Sequence, residues 1–199
     1  WISNRKKSDK PWVLFVSFVC PHFPLIAPEE FYNMYPESEV PWPLLYEESQ
    51  RSNHPYYKAM RKCMNYDDYF DEEKVRKATS AYFGLCSFLD YNIGTVLSAL
   101  DNSDFADNTN IIYTSDHGDA LGMRGMWGKS TMFEESAGVP MIIKGPNLPV
   151  SKKVKTPVSL IDIFPTVIDS LELDKNIKDD NLPGKSLLTI AKEDDDYQR

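Results

Sequence analysis

The chain has 199 residues, 42% of them hydrophobic, with 22 basic and 30 acidic side chains and a net charge of −8. This length suffices for one domain with a core, and the negative charge argues against a general nucleic-acid binder. The longest apolar stretch, residues 13–20, is too short for a membrane span. Three cysteines at irregular spacing predict buried free thiols and favour a reducing compartment over an oxidising one.

The first half of the chain contains one predicted strand and one predicted long helix. Residues 12–19 are mostly β-branched or aromatic and lie between two prolines, which predicts a strand buried on both faces. Residues 21–70 are rich in Pro, Tyr and Asn and predict loops, with one possible helical turn over residues 28–34. Residues 71–100 have apolar side chains at steps of three and four, which predicts a helix capped by Asp71.

The second half predicts two further strands and a helix. Residues 110–115 and 139–144 are short apolar runs, and the Gly- and Met-containing loop 118–138 joins them. Residues 161–171 predict a helix with Pro165 in or near its first turn, where proline is tolerated. The order of strand, helix, strand, loop, strand and helix is typical of a three-layer α/β domain with a largely parallel sheet.

Asp116 and His117 come directly after a predicted strand and are followed by Gly118. Ligands of open α/β sheets bind beyond the carboxyl ends of the strands, and glycine allows a sharp turn there. The carboxylate favours Ca²⁺ or Mg²⁺, and the imidazole extends the choice to Mn²⁺ or Zn²⁺. The tripeptide predicts a metal-binding turn, although an Asx turn with a structural histidine explains it as well.

Two further side chains are candidates for binding an oxyanion. Lys129 lies twelve residues after His117 in a Gly-flanked loop and offers a compact positive charge. His22, between Pro21 and Pro24, follows the first predicted strand and could protonate a leaving group near neutral pH. A solvated lysine and a packed loop histidine are the ordinary alternatives. His54 has no such context, and we expect it to be structural or exposed.

Together these segments resemble the sulfatase family, with choline-sulfatases and arylsulfatase-like enzymes the most similar group. The segments that carry the resemblance stand in the family's order: Phe15–Phe18 with Pro21–Pro24, Ala81–Gly94, Thr114–Asp119 with Leu121–Gly122, Trp127–Lys129, Phe133–Ser136 with Val139–Pro140, Val158–Thr166 and Gly184–Leu187. The resemblance implies an alkaline-phosphatase-like three-layer α/β fold, of which residues 1–199 would be the central part of the catalytic domain. It also implies hydrolysis of a small alkyl or aryl sulfate ester.

The resemblance assigns roles to four residues. Asp116 and His117 would be metal ligands, usually for Ca²⁺, with Mg²⁺ or Mn²⁺ possible. Lys129 would bind the sulfate group, and His22 would contact the sulfate or the leaving group, so both are catalytic and substrate-binding candidates. Gly138 stands where relatives often carry Arg before Val-Pro, which puts a local ion pair in doubt.

The family's nucleophile motif, Cys/Ser-x-Pro-x-Arg, is absent from the 199 residues. Cys20 precedes Pro21 and His22 but has no Arg after it, so a formylglycine is expected upstream, together with the family's first metal carboxylates. We therefore expect the remaining segments of the same polypeptide to be partners of this chain, and we expect the chain to be inactive by itself. An oligomer stays open, and no membrane span or nucleic-acid partner is expected.

Three other functions remain open on the sequence alone. A phosphonate or phosphate ester hydrolase of the same superfamily uses nearly the same Asp-His and Lys positions. A non-catalytic relative could bind only a metal or an anion. A thiol hydrolase would need Cys20 to pair with a histidine, and His22 is poorly placed for this because the two lie on one stiff, proline-bounded segment.

Overall fold

A computed structural model describes residues 1–7, 10–173 and 182–196. The chain divides into two compact units. Unit 1 comprises Trp1–Phe15, Ser98–Asp116 and Pro140–Arg199, and unit 2 comprises Val16–Leu97 and His117–Val139. The helix α4, Glu72–Asp101, lies in unit 2 apart from its last residues.

Helices dominate unit 2. Its elements are α1 (Glu29–Tyr32), α2 (Pro55–Met64), α3 (Tyr66–Tyr69), most of α4, and α5 (Glu134–Ala137). The predicted helical turn near residue 30 is confirmed as α1. Helices α2 and α3 lie in the region that the sequence predicts as loops, and His54 is the structural residue expected, because its ring Nδ1 accepts a hydrogen bond from Tyr56 N at 3.3 Å and caps α2.

Helix α4 confirms the predicted long helix. Asp71 Oδ1 accepts a hydrogen bond from Lys74 N at 2.9 Å, as expected of the cap. Val75, Ala81 and Leu85 are buried on one side, and an added Cβ at Gly84 would lie 3.0 Å from Phe31 O, so glycine lets α1 approach. By length and composition alone α4 could cross a membrane, and 17% of its most apolar window is buried. One such helix is weak evidence of a span, because core helices of soluble proteins pass the same length and composition test.

Unit 1 contains a sheet of two strands, β1 (Ile111–Thr114) and β2 (Met141–Lys144). They pair antiparallel, with Ile111 opposite Lys144 and Thr114 opposite Met141. Both strands were predicted. The largely parallel central sheet is not observed in the described residues, where these are the two strands that pair.

The predicted strand over residues 12–19 is wrong for the described structure. No strand is assigned to this run, and all its side chains except that of Trp12 are exposed rather than buried, with Phe15 at 88% and Val19 at 79%. A strand is defined by hydrogen bonds to a neighbouring backbone, and the described part of the chain offers this run none. The apolar residues of this run are therefore largely not buried within the described structure.

The remaining helices of unit 1 are α6 (Ile163–Ser170) and α7 (Leu187–Ile190). Helix α6 confirms the prediction, with Pro165 in its first turn. The fully buried Asp162 lies before α6 and accepts hydrogen bonds from Ser159 N at 2.8 Å and Lys185 N at 2.9 Å. Leu187 N donates to Thr166 Oγ1 at 2.8 Å. These buried bonds join α7 to the start of α6.

Candidate active site

His22 lies in a tight loop of unit 2 between two cis-proline peptide bonds, Cys20–Pro21 and Phe23–Pro24. Its backbone N–H donates to Val19 O at 3.0 Å, and its ring lies 4.2 Å from the ring of Phe23. The ring Nδ1 is 2.8 Å from Phe23 O. Because a carbonyl oxygen can only accept, this nitrogen carries the hydrogen.

Lys129 is the direct partner of His22. Its Nζ lies 2.9 Å from His22 Nε2, and an ammonium group can only donate. Nε2 therefore accepts, and His22 is a neutral ring protonated on Nδ1. The structure thus brings together the two residues that were expected to bind the oxyanion, which lie 107 positions apart in the sequence.

His117 lies beside this pair in unit 2, with its ring centroid 6.2 Å from that of His22. Its Nδ1 is 2.8 Å from Gly118 O, so Nδ1 carries a hydrogen and Nε2 is the ring nitrogen left to bind a metal. Gly118 N donates to Ser136 O at 2.8 Å. An added Cβ at Gly118 would overlap Glu135 O, so only glycine fits here.

Asp116 is the last residue of unit 1 and directly precedes His117. It is exposed at the end of β1, and its Oδ1 lies 3.4 Å from Ser115 Oγ. An oxygen and a nitrogen donor fit part of a divalent-cation site. In the described ranges, however, no group of three or more His, Cys, Asp or Glu side chains could hold a metal. The two residues therefore supply at most part of a ligand set.

Asp119 is a further site residue that the sequence reasoning missed. Its Oδ1 accepts hydrogen bonds from Leu121 N at 2.8 Å and from Gly128 N at 3.0 Å, and Ala120 N donates to Gly128 O at 2.7 Å. These bonds close the loop that runs from His117 to Lys129. An Asp two residues before its bonded N–H is the signal of an Asx turn, which could have identified it.

A cavity of about 910 Å³ in unit 2 adjoins the chain neighbours of the candidate residues. Phe23 and Gly128, next to His22 and Lys129, line it. Its wall is mostly apolar or aromatic, and it includes Tyr66, Phe70 and Trp127. Trp127 stacks on Phe70 with centroids 3.9 Å apart. Trp127 therefore packs within the unit and also lines the cavity.

The three cysteines are free, and Cys63 is exposed rather than buried, contrary to expectation. Burial, together with the nearby Cys20, raises the pKa of the Cys86 thiol to about 11. Both ring nitrogens of His22 are engaged by Phe23 and Lys129. The geometry therefore gives no support to a Cys20–His22 nucleophilic pair.

The profile of the family described as Sulfatase matches residues 1–173. The chain is 36% identical over 167 residues to a choline-sulfatase of Rhizobium meliloti, covering 83% of this chain and 32% of the relative. It is 31% identical over 204 residues to an arylsulfatase of Clostridium perfringens, covering 97% of this chain and 41% of the relative. The chain thus spans about a third of the length of such relatives.

Two solved structures are also similar. The phosphonate monoester hydrolase of Silicibacter pomeroyi has a TM-score of 0.77 at 26% identity, covering 90% of this chain and 37% of that one. The phosphonate monoester hydrolase of Agrobacterium radiobacter has a TM-score of 0.76 at 28% identity, covering 96% of this chain and 40% of that one.

Proposed function

Since this chain belongs to the sulfatase family, we propose that the full-length protein hydrolyses sulfuric esters with the help of a divalent metal. The observation that carries the proposal is the 2.9 Å contact between Lys129 Nζ and His22 Nε2, beside the His117 ring. A tetrahedral oxyanion needs donors that converge on it. The family resemblance assigns that task to Lys129 and His22, and it assigns His117 to the metal.

Lys129 and His22 divide the work on the ester. The Lys129 ammonium neutralises a non-bridging sulfate oxygen. An anion between the two side chains also favours the protonated imidazole, because it replaces the ammonium contact at Nε2 with a negative charge. His22 Nε2 then donates its proton to the leaving oxygen as the ester bond breaks.

Asp116 and His117 would supply part of the ligand set of the metal, for which Ca²⁺ is the first choice. The bound ion would supply positive charge against the sulfate oxygens. The rest of the ligand set and the formylglycine would come from other segments of the full-length polypeptide, because the sequence of this chain contains no Cys/Ser-x-Pro-x-Arg motif.

The alcohol portion of the ester would occupy the aromatic cavity beside Phe23 and Gly128. Aromatic walls favour flat or apolar groups because they remove a large apolar area from water. Trp127 and Tyr66 could also face a quaternary ammonium, and one relative is named a choline-sulfatase. A small aryl or alkyl alcohol is therefore the proposed substrate class.

Paired kinetics on the full-length protein test this function. We expect kcat/KM for 4-nitrophenyl sulfate to exceed that for 4-nitrophenyl phenylphosphonate, and we expect EDTA to abolish turnover until Ca²⁺ is restored. The likeness to two phosphonate monoester hydrolases makes phosphonate ester hydrolysis the second candidate. A preference for the phosphonate by more than roughly tenfold, or about 1.4 kcal/mol in transition-state binding, would establish it instead. No turnover of either ester would leave a non-catalytic relative.

A further inference from the structure

One ion pair in unit 2 connects the loop that carries Lys129 with the segment that supports His117. Arg124 Nη2 lies 2.9 Å from Glu135 Oε1, and the two side chains are only 22% and 16% exposed. The Arg124 guanidinium carbon also lies 4.3 Å from the centre of the Phe133 ring. A pair this sheltered from water is screened less by solvent and salt than a surface pair.

The Arg124 end of the pair belongs to the Lys129 loop. Its backbone lies in the left-handed region, with φ 58° and ψ 22°, which is uncommon for a residue with a side chain. Arg124 N donates to Leu44 O at 3.1 Å, and Gly125 N donates to Gly122 O at 2.9 Å. The left-handed conformation therefore directs the Arg124 side chain towards Glu135, while the backbone hydrogen bonds keep the Lys129 loop closed.

The Glu135 end lies against the turn that contains His117. Glu135 O occupies the space that a Cβ of Gly118 would need, and the next residue, Ser136, accepts the Gly118 N–H at 2.8 Å. Moving Glu135 would therefore move the backbone that follows His117. Among the described residues, Glu135 Oε2 and Arg124 Nε are buried without a hydrogen-bond partner, so loss of either charge would leave the other poorly compensated.

Position 138, next to this ion pair, has no room for a side chain in this arrangement. An added Cβ at Gly138 would lie 2.5 Å from Glu134 Oε1 and 2.8 Å from Glu134 O. Arg124 approaches Glu135 from the Lys129 loop, and the two side chains form the ion pair described above.

We propose that Arg124 and Glu135 are positioning residues that hold the His117 turn and the Lys129 loop in register, without touching substrate. The inference rests on the proposed function only in taking His117 as a metal ligand. Replacing a residue that contacts and orients a metal-binding side chain typically lowers metal affinity or activity by roughly 10–100-fold.

The test uses Arg124→Gln, Arg124→Lys and Glu135→Gln in the full-length protein. We expect Arg124→Gln to speed hydrogen exchange at Gly118 N–H by roughly tenfold or more. We also expect it to raise the Kd for Ca²⁺ by roughly 10–100-fold. Arg124→Lys should recover part of both losses because it keeps the charge without the planar fork. Glu135→Gln, which keeps the side-chain shape, replaces Arg124→Gln if that variant does not fold.

Arg76→Gln is the matched control, because Arg76 Nε pairs with Glu72 Oε1 at 3.0 Å on the more exposed surface of α4. It should leave both measurements unchanged. Equal effects of Arg76→Gln and Arg124→Gln, no effect of Arg124→Gln, or no recovery in Arg124→Lys would each overturn the proposal. If the wild-type protein binds no Ca²⁺ and hydrolyses nothing, the proposed function fails, while exchange at Gly118 still decides whether the ion pair positions the turn.

Discussion

The contact between Lys129 and His22 leads to a prediction about how the Lys129 charge affects kcat/KM. Replacing Lys129 with Ala removes the positive charge nearest to His22 Nε2, 2.9 Å away. We expect kcat/KM for an aryl sulfate to fall by about 10²–10³-fold, as for the loss of one oxyanion donor. Lys62→Ala removes a lysine from the exposed face of α2 and should leave kcat/KM unchanged. Equal rates for the two variants would exclude Lys129 from sulfate binding.

Gly118 and Gly94 form a matched pair for a steric prediction. A methyl group at Gly118 would overlap Glu135 O, whereas at Gly94 no atom of the described residues lies within 4 Å of it. We expect Gly118→Ala to lower the free energy of unfolding by about 1–3 kcal/mol. Gly94→Ala, in the exposed interior of α4, should raise it by about 0.5–1 kcal/mol.

Urea unfolding of both glycine variants measures the difference. The Gly118→Ala protein should also show weaker Ca²⁺ binding, because the methyl group pushes the turn after His117 away from Glu135. A Gly118→Ala protein as stable as wild type would mean that the backbone of α5 shifts freely and does not constrain the turn.

Among single residues, sequence patterns identify charged or titratable side chains in loops near predicted strands. They miss residues whose role depends on hydrogen bonds or ion pairs that form only in the folded chain. His22 and Lys129 stand out because charged or titratable side chains follow predicted strands or lie in Gly-flanked loops. Asp119 acts through backbone N–H groups of its own loop. Arg124 acts through a partner eleven residues away on another element, which no local pattern indicates.

At the scale of elements, a buried hydroxyl joins α6 to α7. Thr166 Oγ1 accepts from Leu187 N at 2.8 Å and donates to Asp162 O at 2.6 Å, and Thr166 is fully buried. Thr166→Val keeps the shape but leaves the Leu187 N–H without an acceptor. We expect a loss of about 1–3 kcal/mol in the free energy of unfolding.

The control for this element is Thr95→Val, because Thr95 is exposed on α4 and donates only to Tyr91 O at 3.2 Å. It should change the free energy of unfolding by less than about 0.5 kcal/mol. Chemical denaturation of the full-length variants makes the comparison, and similar losses in the two would show that the α6–α7 bond is not special.

The elements show why helices were easier to predict than sheet structure. The helices α4 and α6 follow from apolar spacing and caps within one segment. Helix α2 was missed among prolines, although His54 followed by Pro55 is itself a start signal. The run over residues 12–19 has strand composition, but pairing depends on a neighbouring backbone that this segment does not contain. The antiparallel pairing of β1 with β2 is likewise invisible in either strand alone.

At the scale of the whole molecule, the chain spans about a third of its curated relatives, and the distribution of chemistry within it is uneven. Lys129 and His22, the pair proposed to bind sulfate, lie together within unit 2. Among the described residues, no group of three or more possible ligands could hold a metal. Apolar side chains of residues 12–19 are also exposed to an extent typical of surfaces that pack against other protein.

This distribution predicts that the 199-residue chain alone does not turn over sulfate esters, whereas the full-length protein does. Lys129 and His22 can bind an anion, but hydrolysis also needs a nucleophile, and the family's motif for it does not occur in this sequence. Removing such a nucleophile costs about 10⁶-fold in kcat in a well-studied hydrolase. Release of 4-nitrophenol with Ca²⁺ present compares the two proteins, with circular dichroism confirming that both are helical. Turnover by the isolated chain that disappears in its Lys129→Ala variant would contradict the prediction, because it would place a working nucleophile within these 199 residues.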